Sequence, residues 1–190
     1  MTAVVGHRCM SALALQLGWS ATEVNHVLIV NAQTVEAWSI SSPQAPGLLR
    51  TMADEDVAAV RALHDVEFPD TYYSASELAA RVSRGDQIVL IADRGHGRQN
   101  DGCKIDGYIA GRIRPDGDAY IDFLAVAPSE RRSGLGRRLV VTLCRQLVAE
   151  STTQRVCLTV QTTRSPARAL YESLGFEQEI AIIGFEAPPR

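Results

Sequence analysis

The sequence predicts an α+β fold, a mixed and mostly antiparallel sheet with helices on both of its faces. Two observations carry this expectation. Segments of strand and helix periodicity follow one another in the order β-α-α-β-β-β-α-β-α-β. Tight turn signals, not helices, join the strands in the middle of the chain, so those neighbours run antiparallel. With 190 residues, 46% hydrophobic and 22% charged, the chain can bury a sizeable core as one domain, or as one domain with an appendage.

The elements follow in order. Residues 48–52 read as a short strand. Asp54 can cap a helix carrying Val57, Val60, Leu63 and Val66, which Pro69 stops. Ser74 or Ser76 caps a second helix through Leu78 and Val82. Gly85-Asp86 turns into a strand over 87–92. Residues 94–103 form a polar hairpin loop. A strand over 105–113, the turn Arg114-Pro115-Asp116-Gly117-Asp118 and a strand over 119–127 make a hairpin. A helix over 134–150 and a strand over 156–161 follow. The next helix, 166–174, has Pro166 in its first turn and Gly175 at its C-terminal end. One strand or a pair covers 176–185.

The most informative stretch joins the strand over 120–127 to the helix from 134. Its loop starts at Pro128 and ends in Arg131-x-x-Gly134-x-Gly136. A helix N-terminus has unpaired N–H groups and a partial positive charge, so it binds phosphate. Glycines at 134 and 136 let the backbone approach that phosphate. Leu135, Leu139, Val140, Leu143 and Leu147 give the helix a buried face.

This stretch resembles the acyl-CoA-binding core of the Gcn5-related N-acetyltransferases. Arg131, Gly134 and Gly136 fit the family's Gln/Arg-x-x-Gly-x-Gly/Ala signature, and Leu124, Val126 and Pro128 fit the strand before it. Ala169-Leu170-Tyr171-Glu172-Ser173-Leu174-Gly175-Phe176 fits the family's last helix and the turn after it. The resemblance covers residues 48–186. It implies a six- to seven-stranded sheet with about four helices, and an acetyl-CoA-dependent transfer to a primary amine of a small molecule or peptide, without metal. It places the pantetheine arm beside Leu124, Ala125 and Val126, and the diphosphate on the loop of Arg131, Arg132, Ser133, Gly134, Leu135, Gly136 and Arg137.

The resemblance makes Tyr171 the general acid, since a phenol of pKa about 10 is protonated at neutral pH. Many members have Asn seven residues earlier. Here Arg164 stands there, with no acceptor, and Ser165 takes part of that role. The glutamates that serve as bases in two branches are replaced by Tyr120 and Thr159. Period-two alternation puts Tyr120, Asp122 and Leu124 on one strand face. Asp122 is thus the nearest candidate base and Glu67 the second. The loop between the first helices, with Glu67, Asp70, Tyr72 and Tyr73, together with Tyr120, is expected to receive the amine. His64 and His96 have no partners at motif spacing and read as ordinary surface or helix residues.

Residues 1–47 stand outside this plan, as an extension and linker before an acetyltransferase domain over 48–190. Residues 13–19 and 23–30 echo 170–176 and 180–185. The extension is a remnant of a preceding acetyltransferase-like half, an unrelated helix and strand, or the result of a translation start placed too far upstream. It either lies against the domain or serves as the arm of a homodimer.

The net charge of −3 gives no support to a nucleic-acid or membrane partner. The cysteines Cys9, Cys103, Cys144 and Cys157 form no metal-ligand spacing, and Cys144 and Cys157 read as buried thiols. Missing targeting signals suggest a cytoplasmic protein. A nucleotide-binding P-loop, G-x-x-x-x-G-K-[ST], is absent. The competing function is a non-catalytic acyl-CoA-binding regulatory module. The missing glutamates favour that reading and Tyr171 opposes it.

Overall fold

The computed structural model describes residues 2–5, 8–38, 48–69, 71, 73–93 and 105–188. In chain order they form β1 (Thr2–Val4), α1 (Arg8–Gln16), β2 (Ser20–Asn31), α2 (Ala32–Ala37), β3 (Leu48–Thr51), α3 (Val57–Glu67) and α4 (Ala75–Arg84). Then come β4 (Ile88–Asp93), β5 (Gly107–Ile113), β6 (Ala119–Val126), α5 (Leu135–Glu150), β7 (Arg155–Gln161), α6 (Ser165–Ser173) and β8 (Glu177–Glu186). The fold class is α+β, as predicted. The strands and helices beyond the expected number are β1, α1, β2 and α2, all ahead of residue 38. Residues 39–47, at the end of the predicted extension and linker, and the predicted hairpin loop over 94–103 lie outside the described residues. The chain divides into two compact units, Asn31–Val156 and Met1–Val30 with Cys157–Arg190.

In the unit Asn31–Val156 the strands lie in the order β3-β4-β5-β6. Each pairs antiparallel with its neighbour. The predicted turn closes the last hairpin: Arg114 donates to Asp118 O at 2.8 Å and Gly117 to Arg114 O at 2.9 Å. On one face, Tyr108 and Ala110 of β5 pack with Val60 of α3 and Leu78 of α4. On the other lies α5, with Leu139, Leu143 and Leu147 buried to within 1%. Each such leucine contributes about 1.5–3 kcal/mol. Gly111 makes the close fit possible. A Cβ there would sit 2.7 Å from Tyr120 O and 2.9 Å from Leu143 Cδ2.

Local chemistry sets the helix starts. Of the two serines, Ser74 caps α4. It receives Glu77 N at 3.2 Å, and Glu77 accepts Ser74 N at 2.8 Å, a capping box. Before α3, Asp56 and not Asp54 carries the bonding: it accepts Ala53 N at 2.8 Å and pairs with Arg50. The α3 stripe differs from the expected one. Val66 is 72% exposed, whereas His64 is 1% exposed. At about 100° per residue, Val66 falls on the opposite face from Val57, and His64 lies close to the direction of Val60. His64 is therefore a core residue, not a surface one.

The other unit holds both ends of the chain. Its strand order is β1-β8-β2-β7. β8 pairs antiparallel with β1 and with β2. Ala14 of α1 packs with Phe185, Trp19 and Met10. The N-terminal helix and strand are thus built into this unit's own layer and core. Cys157 here and Cys144 of α5 are both buried, as expected.

Candidate active site

β6 ends at Val126 and runs through a 3-10 turn, Pro128–Glu130, into α5. Glu130 N donates to Ala127 O at 2.8 Å and Ser133 Oγ to Glu130 O at 2.7 Å, so the loop ties itself. Gly134 is the N-cap of α5, at φ +84°, and provides no side-chain cap. The first N–H groups of a helix lack intrahelical acceptors. The first turn of α5 has no acidic residue, and Arg131, Arg132 and Arg137 are exposed around it. A Cβ on Gly134 would meet nothing within 4 Å. This is an open, electropositive cradle of backbone donors, and it fits a polyphosphate. Leu135 and Ala125 turn their side chains into the core, so only their backbones are offered.

Arg131 does more than flank the cradle. Its Nε donates to Val126 O at 3.2 Å and its Nη2 pairs with Glu67 at the end of α3. One side chain therefore joins the end of β6, the loop and the predicted acceptor helix.

His64 reaches the next segment. Nε2 lies 2.7 Å from Tyr73 O and Nδ1 2.5 Å from the Tyr108 hydroxyl. A carbonyl only accepts, so Nε2 carries the hydrogen and Nδ1 receives the Tyr108 proton. Burial pushes the Tyr108 phenol far up, so it stays a donor. The spacing of histidines gave no hint of this network. The position four residues after Val60 is the signal that finds it. Tyr73 itself stacks under Arg81, 4.3 Å from the ring centre, and meets the edge of Phe123. Its face already holds a guanidinium. Tyr72, Asp70 and His96 lie outside the described residues.

Asp122 sits elsewhere on β6. Ala110 pairs with Phe123 but Gly111 pairs with Ile121, so Asp122 is the extra residue of a β-bulge. The bulge overturns the expected alternation. Tyr120 pairs with Arg112 and Asp122 bonds to Arg112, whereas Leu124 pairs with Ile109 on the α5 side. The Asp122 carboxylate has no exposed surface; it accepts Gln87 Nε2 at 2.9 Å and Arg112 Nε at 3.2 Å. Arg112 and Arg114 also lie over the Tyr120 ring, at 5.9 and 5.5 Å. An open cavity of about 420 Å³ runs past Arg81, Gln87, Arg112 and Arg114, and none of the predicted site residues lines it.

Burial raises the Asp122 pKa above the ordinary carboxylate value, against the opposing pull of Arg112. A folded-state pKa above the unfolded one gives stability that is full below the unfolded value, about 4, and is lost as pH rises through the folded value. Asp122→Asn should remove that downward step. Urea unfolding of both proteins between pH 4 and 7 measures it, and parallel curves would contradict it.

Tyr171, Arg164 and Ser165 belong to the other unit. Tyr171 is 5% exposed and its ring meets the edge of Phe176 at 5.5 Å between centroids. Gly175 ends α6 at φ +84°, where Phe176 N donates to Tyr171 O at 3.1 Å. Arg164 is the N-cap of α6 without a side-chain cap bond, and Ser165 opens the helix. Among the described residues no group of three or more His, Cys, Asp or Glu is placed to hold a metal ion. Nor is any helix among them long and apolar enough to cross a membrane.

A family model, the acetyltransferase (GNAT) family, matches residues 57–176, more than half of the chain. The chain belongs to that family. The matched span runs from α3 through α6, so it includes the cradle and Tyr171. Solved structures agree on the GNAT fold. A Drosophila protein of structural genomics origin shares 17% identity at a TM-score of 0.74, over 100% of this chain and 60% of that one. A GCN5-related N-acetyltransferase from Sphaerobacter thermophilus shares 16% identity at a TM-score of 0.67, over 100% of this chain and 60% of that one. A tandem GNAT protein from the clavulanic acid biosynthesis pathway shares 16% identity at a TM-score of 0.69, over 100% and 63%. This GNAT chain thus spans about 60% of the length of those proteins. No curated protein matches it.

Proposed function

We propose that the protein transfers an acetyl group from acetyl-CoA to a primary amine of a small molecule or peptide, by direct attack. The observation that carries this reading is the cradle at α5: an uncapped helix start, Gly134 at φ +84° with open space before it, and no acidic residue in the first turn. The thioester supplies an acyl group that is already activated. The N–H groups from Arg132 to Arg137 hold the diphosphate, with Arg132 and Arg137 adding charge-assisted bonds. Leu124 to Val126 of β6 offer main-chain bonds to the pantetheine arm, as to an added strand. Arg164 and Ser165 contact the same arm.

The Tyr171 hydroxyl gives its proton to the sulfur as the carbon–sulfur bond breaks. The amine loses a proton as its nitrogen–carbon bond forms. Two carboxylates are candidates to receive that proton. The Asp122 carboxylate has no exposed surface, while Glu67 keeps 17% exposure beside Arg131. Glu67 is therefore the one an incoming amine reaches directly, and Asp122 accepts a proton only through a relay.

Release of CoA from acetyl-CoA with a panel of alkyl amines and N-terminal peptide amines tests the reading. Tyr171→Phe should lower kcat about 100-fold or more while the acetyl-CoA Kd stays within a factor of two or so. Tight binding of acetyl-CoA with no turnover on any amine would favour the regulatory module instead.

A further inference from the structure

The loop after β7 is held from the N-terminal strand. Thr162 and Thr163 open the loop that runs through Arg164 and Ser165 into α6. Thr162 N donates to Val24 O at 3.0 Å and Thr162 Oγ1 to the same oxygen at 2.9 Å. Thr163 N donates to Glu23 Oε1 at 2.7 Å. His26 Nε2 stands 3.0 Å from Thr162 Oγ1. Arg168 Nη1, which can only donate, lies 3.4 Å from the same nitrogen, so Nε2 serves as its acceptor.

The strand is shaped for this contact. The β2–β8 register slips between Ala21 and Val24, so Thr22 and Glu23 form an irregularity that re-aims their side chains. Glu23 brings a negative charge to the start of α6, which has no side-chain cap and no acidic residue of its own in its first turn. The bonds from Thr163 lower the Glu23 pKa, with a smaller contribution from the charge of Arg164.

We infer that β2 is a positioning element of the cosubstrate site, with Glu23 and Val24 setting the course of the loop that presents Arg164 and Ser165. The inference rests on the reading of those two residues as acetyl-CoA contacts. Glu23 touches no reacting atom and acts through the loop. A purely structural role would change stability; a positioning role changes cosubstrate affinity as well.

The test uses the whole chain as wild type, Glu23→Ala and Glu23→Gln, with calorimetric titration of acetyl-CoA and of CoA and with amide hydrogen exchange over residues 162–169. Glu23→Ala should raise both Kd values about fivefold, the scale of a lost capping bond, and speed exchange in the loop. Glu23→Gln keeps an acceptor and should recover most of both effects. The amine KM should not move. Unchanged affinity and exchange in a folded Glu23→Ala protein would overturn the inference while leaving the acetyl-CoA reading intact. A wild type that binds neither acetyl-CoA nor CoA would overturn that reading, and this inference with it.

Discussion

Gly134→Glu should abolish acetyl-CoA binding, with a loss of about 100-fold or more in Kd. Two effects add. The new carboxylate points into the open space before α5, where a Cβ meets nothing within 4 Å, and would face the diphosphate of the proposed cosubstrate with like charge, which costs several kcal/mol. The backbone at φ +84° also disfavours any L side chain, by about 1–2 kcal/mol. Gly134→Ala separates the two. It shares the strain but adds no charge, so it should lose about 1 kcal/mol of stability and bind far better than the glutamate variant. Calorimetry beside urea unfolding reads both quantities. Equal binding by the wild type and the glutamate variant would mean that the cradle is not the diphosphate site.

His64→Ala should cost about 3–5 kcal/mol in folding stability. The ring packs against Phe68 and Phe123, with centroids at 5.4 and 4.9 Å. Its removal leaves a hole in the core. It also leaves the buried Tyr108 hydroxyl without its His64 acceptor, and a buried unpaired group costs about 1–3 kcal/mol. His64→Gln retains one bond and some volume, so it should recover roughly half of the loss. Urea midpoints decide the matter. A loss under about 1 kcal/mol would show that the network contributes little. Because His64 lies in the same helix as Glu67, activity lost by the glutamine variant beyond its loss of stability would tie the network to the amine site.

The fold around the candidate site was legible where sequence pattern and chemistry coincide. The β6–loop–α5 passage, the Ser74 cap, the 114–118 turn and the Gly175 stop each depend on residues whose backbone preferences act locally. Non-local facts were hidden. The α3 stripe misled because steps of three residues drift around a helix, carrying Val66 out to solvent and leaving His64 inside. The bulge at Asp122 broke the alternation that had grouped it with Leu124, and nothing in the strand's own residues announces a bulge. The pairing of β2 with β8 joins residues far apart in sequence, such as Ser20 and Glu186, and local preference does not encode it.

That pairing has a consequence for how the protein is made. The residues of β1 and β2 are synthesised before those of β8, their partner and the last of the described strands. Thr2 must wait for Gly184 and Asn25 for Ile182. Closing so long a loop carries an entropic cost that grows only slowly with length, but the delay is a matter of time as well as free energy. At about 5–20 residues per second, α1 spends many seconds with Ala14 lacking Phe185 of β8, its partner in the folded core. Slower translation of the C-terminal third would lengthen that wait, and the yield of folded protein should fall with it.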